Sequence, residues 1–94
     1  MDLSRLTDYS NPSIVERNAK ALYGPAVQLQ RSTAKDKKYM ILTPKGWVHF
    51  GQLGYEDFTK HQDPRRRTLF RSRMKRFKNA DKWTAGYMSY HLLW

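Results

Sequence analysis

Between Pro64 and Lys78 the chain carries Arg65, Arg66, Arg67, Arg71, Arg73, Lys75, Arg76 and Lys78 with no acidic residue among them. This run constrains the fold more than any other feature. Eight like charges cannot be buried, so the segment must lie at the surface with at most one stripe turned inward. Leu69, Phe70, Met74 and Phe77 recur at helical spacing within it, and Asp63 followed by Pro64 is a capping carboxylate ahead of a proline at the first helical position. The pattern predicts a basic amphipathic helix from Pro64 to about Lys78, its apolar stripe facing a core and its arginines facing outward.

The surrounding signals predict an α+β domain. Asn11 and Pro12 open a helix whose Ile14, Val15, Ala19 and Leu22 form one stripe, and Gly24 then Pro25 close it. Strands are expected at roughly 27–31, 38–43 and 47–50, with Lys35 to Lys38 as a charged turn and Thr43-Pro44-Lys45-Gly46 as a tight one. They assemble most simply into a small three-stranded antiparallel sheet. A short turn is expected within 55–60, and a last helix from Thr84 to Trp94 has Gly86 as its weak point. Residues 1–10, with Leu3, Leu6 and Tyr9 scattered among polar groups, read as an N-terminal arm that orders by docking, which leaves 11–94 as one small domain.

Charge is spread unevenly. Residues 1–30 are neutral, whereas 31–50 contribute +4 and 51–94 contribute +6 to the net charge of +10. Such an excess favours anionic partners, and arginine suits bidentate contacts to phosphate or carboxylate. A chain of 94 residues with no cysteine has a limited core and neither disulfides nor thiolate metal sites to reinforce it, so support from a partner is expected. The apolar ending Leu92-Leu93-Trp94 suits either the domain's own core or docking to a neighbour, and partner docking is assigned to it. No apolar stretch approaches the length of a membrane span or a signal segment.

Catalytic chemistry finds little support. His49 with Asp57 and His61 with Asp63 lack close ligand spacing, so no metal is expected, and no cofactor motif occurs. Gly51-Gln52-Leu53-Gly54 is not a phosphate-binding loop, and the serines have no nucleophile context. The aromatics near the bases could stack nucleobases, but most are needed for the core.

The segment His49-Phe50-Gly51, Gly54-Tyr55, Asp57-Phe58-Thr59, His61, Asp63 and Arg66, with Thr84-Ala85-Gly86 and Leu93-Trp94 later, resembles a family of small uncharacterised proteins of large DNA viruses, phycodnavirus- and mimivirus-like and related. The resemblance covers residues 37–94. The family's helix often has an Arg-His pair where this chain has Arg73-Met74. The resemblance implies a non-enzymatic virion structural protein, a minor capsid or internal component. It would bridge larger viral structural proteins in the virion, after assembly in host cytoplasm or nucleus. The alternative is a nucleic-acid-binding, genome-condensing protein that uses the same basic helix. Within the motif a folding role is expected: Gly51 and Gly54 permit turns, His61 and Asp57 tie the loop through to Asp63, and Asp63 caps the helix.

Overall fold

The computed structural model describes residues 6–94, so the expectation for Leu3 in the docking arm lies outside the described residues. Helix α1, Pro12–Tyr23, begins where Asn11 accepts from the backbone amides of Ser13 and Ile14, and it ends at Gly24, whose φ of 99° few other residues adopt readily. Val15 and Ala19 are buried along its inner stripe, while Leu22 is exposed.

Strands β1 (Leu29–Arg31), β2 (Lys37–Thr43) and β3 (Gly46–Gln52) form an antiparallel sheet in the order β1-β2-β3. The α+β architecture is thus as expected. β2 and β3 reach further than their expected bounds, with Thr43 opposite Gly46 and Lys37 opposite Gln52. Only Pro44 and Lys45 remain in the hairpin loop, closed by the Thr43 hydroxyl donating to the Gly46 carbonyl at 2.7 Å. Lys38, where the expected turn and strand met, is a strand residue, and Lys37 before it is one too.

After β3 the chain forms α2 (Phe58–His61), α3 (Pro64–Arg73), one 3-10 turn (Lys75–Phe77), α4 (Ala85–Met88) and a π-helical stretch, Ser89–Leu93. The basic helix is shorter than expected. It breaks at Met74 (φ −107°, ψ 22°), and the tighter turn that follows brings the Phe77 ring against Gly86. The C-terminal helix widens into π geometry, which turns Tyr90, Leu92 and Leu93 inward together.

The core joins Tyr39, Ile41 and Phe50 of the sheet to Val15 and Ala19 of α1, to Met88, Leu92 and Leu93 of the C-terminal segment, and to Leu6. Leu6 and Thr7 lie in a helical turn, so the described part of the N-terminal arm is docked onto the body. Each large side chain buried this way contributes about 1.5–3 kcal/mol.

Gly86 is a contact rather than a weak point. A Cβ there would stand 2.4 Å from the Phe77 ring. Glycine to alanine inside a helix normally stabilises by about 0.5–1 kcal/mol. Here overpacking reverses the sign, and Gly86→Ala is expected to lose about 1–3 kcal/mol in a denaturation curve. A gain in stability would show that Phe77 does not need this space.

Candidate functional site

Helix α3 starts where its sequence says it should. The Asp63 carboxylate accepts from the amides of Arg65 at 2.9 Å and Arg66 at 3.4 Å, and Pro64 occupies the first turn. No residue of this helix is buried. It is held against the body by a few side chains, and those contacts divide its cations into two groups.

Arg67 and Arg71, one turn apart, face the C-terminal segment. Their Nε atoms donate to the main-chain oxygen of Trp94 at 2.6 and 3.2 Å. The Arg67 guanidinium lies 4.8 Å from the Phe58 ring centroid and that of Arg71 lies 5.1 Å from Tyr90. Burial, and then the neighbouring Arg67 charge, lower the pKa of Arg71 from its ordinary value. These two arginines are structural. Arg65, Arg66, Arg73, Lys75, Arg76 and Lys78 are exposed. The two ion pairs among the described residues, Glu16 with Lys20 at 3.2 Å and Asp57 with Lys38 at 3.0 Å, involve none of them.

The stripe of Leu69, Phe70, Met74 and Phe77 does not enter the core as expected. With Arg66 and Arg73 it lines an open cleft of about 660 Å³ between α3 and the sheet. Phe50, Leu93 and Trp94 also line this cleft, and so do Lys37, Tyr55 and Glu56. Leu69 is 60% exposed and Tyr55 is 70% exposed. Phe70 is half-covered by the Trp94 ring, stacked at 4.4 Å and 9°. The apolar stripe is thus left partly wet.

The C-terminal residues are a second correction. Leu92 is 1% exposed and Leu93 is 2% exposed, so neither is available for partner docking. Asn18 of α1 donates to the Leu92 carbonyl at 2.9 Å, and Trp94 is taken up by Phe70, His61 and the two arginines. Apolar residues near a chain end complete a small core when the core lacks other large side chains.

The residues of the Gly54 to Asp63 motif are brought together: Asp63 caps α3 and His61 bonds it, as expected, while Asp57 ties the loop through a lysine that the sequence did not single out. Lys38 donates from Nζ to Asp57 Oδ2 at 3.0 Å and to the Tyr55 carbonyl at 2.6 Å, with the two side chains only 3% and 1% exposed. Burial lowers the pKa of Lys38, and the Asp57 carboxylate opposes that shift. The other Asp57 oxygen accepts from the Thr59 hydroxyl. Thr59 Oγ1 in turn accepts from the Asn11 amide at 2.9 Å and from Ser10 at 3.2 Å, and Ser10 accepts from the Tyr39 hydroxyl at 2.7 Å. This chain of bonds ties β2, the Asp57 turn and the entry to α1 into one unit. The backbone amide of His61 donates to the Asp57 carbonyl at 3.1 Å. The His61 Nδ1 accepts from the Asp63 amide at 3.0 Å, and burial followed by the Arg66 charge lowers its pKa, which favours the neutral ring. Gly54 has φ of 99° on an exposed turn.

Lys38 is the residue that sequence reasoning missed. Its signal was weak: with β2 starting at Lys37, alternation alone separates Lys38 from Tyr39 and Ile41, but lysines flanking a loop normally face water. The structure also joins Ser32 and His49, whose Oγ and Nδ1 lie 2.7 Å apart. Ser32 is buried and accepts from the Ala34 amide at 3.0 Å, so this pair closes the β1–β2 connection. Among the described residues no group of three or more His, Asp or Glu side chains could hold a metal, and no helix is long and apolar enough to cross a membrane.

No curated protein and no solved structure matches the chain. Residues 27–74 match the model of a family of unknown function, DUF5754. That span contains the three strands, the Lys38–Asp57 pair and all of α3, and it stops at the break after the helix. With just over half of its 94 residues matched, this chain belongs to the DUF5754 family.

Proposed function

We propose that this chain is a non-enzymatic binding protein that holds nucleic acid through the exposed cations of α3 and the turn after it. One observation carries this reading. After Arg67 and Arg71 are assigned to the fold, Arg65, Arg66, Arg73, Lys75, Arg76 and Lys78 remain exposed on α3 and the turn after it, with no acidic partner among the described residues. Repulsion within such a cluster is relieved when its cations neutralise the phosphates of a polyanion, whose condensed counterions are then released into solution. The contacts are to backbone phosphates, so binding tolerates sequence and depends on salt.

Anisotropy of labelled duplex DNA from 50 to 200 mM salt tests this. Six phosphate contacts imply a fall in affinity of roughly a thousandfold across that range. An Arg65→Glu/Arg76→Glu/Lys78→Glu variant is expected to bind at least about tenfold more weakly, with a slope flatter by about three ions. Arg67 is kept, because its loss would release Trp94. Absence of binding even at 50 mM would defeat the nucleic-acid reading.

A second reading keeps the same face but gives it an acidic protein partner, in the role of a minor capsid or internal virion component within a virus particle. The resemblance of the His49 to Asp63 motif to proteins of large DNA viruses favours it. The buried Leu92 and Leu93 remove the apolar terminus as the bridging element, so the basic face would have to serve. Detection of the protein in purified particles, bound to a shell subunit and released by salt, is its test.

A further inference from the structure

The open cleft beside α3 joins two features that rarely coincide on a surface meeting only water. One is apolar: Leu69 and Tyr55 are 60% and 70% exposed, and the rings of Phe70, Phe77 and Trp94 line the same cleft. The other is cationic: Lys37, Arg66 and Arg73 line the same cleft against one acid, Glu56. Apolar surface left wet in a concave site favours any flat apolar group that can cover it.

We propose that the cleft takes unstacked bases of a single-stranded nucleic acid, with the flanking phosphates on Arg66, Arg73 and Lys37. The proposal rests on the nucleic-acid reading above and sharpens it from any duplex to a single strand. Charge complementarity selects a polyanion, and the aromatic lining selects one that carries planar rings. Single-strand sites combine these parts: a positive groove that tracks the backbone and aromatic side chains on which bases stack. A duplex supplies the phosphates but keeps its bases stacked inside, so it can reach the outer cations without filling the cleft. The volume, about 660 Å³, lies within the range of sites that enclose small ligands. α3 suits this role because none of its residues is buried and Leu69 of its apolar stripe is left largely exposed.

The test compares three probes of equal length on the whole chain: a mixed-sequence single strand (DNA and, in parallel, RNA), the same strand with central abasic sites, and the duplex. The intact strand is expected to bind at least about tenfold more tightly than the abasic strand. Leu69→Gln and Tyr55→Ala change no charge at exposed positions and should fold as the parent by circular dichroism. Both should reduce the intact strand to abasic affinity while leaving the abasic strand and the duplex unchanged. Equal binding of intact and abasic strands by the unaltered protein would overturn the cleft proposal and leave the phosphate-binding face standing. Failure of every probe to bind would overturn both. Displacement of the intact strand by a capped peptide of alternating acidic and aromatic residues, with no base preference, would also overturn the proposal and assign the cleft to a protein.

Discussion

Asp57→Asn is expected to destabilise the protein by about 3–5 kcal/mol, the cost of leaving a buried charge without its partner. The total stability of a domain of this length is roughly 5–14 kcal/mol, so the variant should lose a large share of it. Asparagine keeps the shape of aspartate but not its charge. Lys38, its side chain 3% exposed, would then be left with the Tyr55 carbonyl alone, and the Thr59 hydroxyl would donate to a weaker acceptor. Urea denaturation measures this directly, and a loss under about 1 kcal/mol would show that water reaches Lys38. The pH dependence of the variant gives a second check. Burial lowers the folded pKa of Lys38 below its unfolded value of about 10.4, and the carboxylate that opposes this is gone. Between those two values the unfolded state binds more protons, so the variant should regain stability as pH rises through that window. A Lys38→Met/Asp57→Leu double variant removes both charges and should cost less than the single change.

Gly51→Val is expected to cost about 2–5 kcal/mol, from two causes that act together. The backbone at Gly51 has φ of +83°, which a β-branched residue adopts only under strain. A Cβ there would also stand 2.9 Å from Leu93 Cδ1 and 3.1 Å from Lys38 Cβ. Valine would press on the C-terminal segment and on the buried lysine at once. The effect should extend to Trp94, which follows Leu93 and lines the cleft, so Trp fluorescence should shift at denaturant concentrations where the parent is still folded. A variant as stable as the parent would mean that Leu93 relaxes freely, against its 2% exposure.

The parts of the fold that were legible in the sequence are those settled within four or five residues. Asn11-Pro12 and Asp63-Pro64 start helices because a side-chain acceptor meets amides two and three residues on. Gly24 stops one because it alone tolerates the exit geometry, and Thr43 to Gly46 turns because the Thr43 hydroxyl reaches across the loop. The candidate site was legible only as a list of charges. Nothing local distinguishes Arg67 from Arg66, since both follow the same cap. What separates them is that 67 and 71 face Trp94 whereas 66 and 73 face the cleft, and that depends on contacts more than 20 residues apart.

The sequence by itself thus determined an α+β chain with a basic, outward-facing helix, because caps, alternation and like-charge repulsion act over short distances. Tertiary structure alone decided three further matters. It buried Lys38 against Asp57, since that pairing needs β2 and the Asp57 turn in place together. It drew Leu92 and Leu93 into the core, because a domain this small needs every large apolar side chain within reach. And it left the apolar stripe of α3 facing an open cleft, because the C-terminal segment took the space on the sheet that the helix would otherwise have covered.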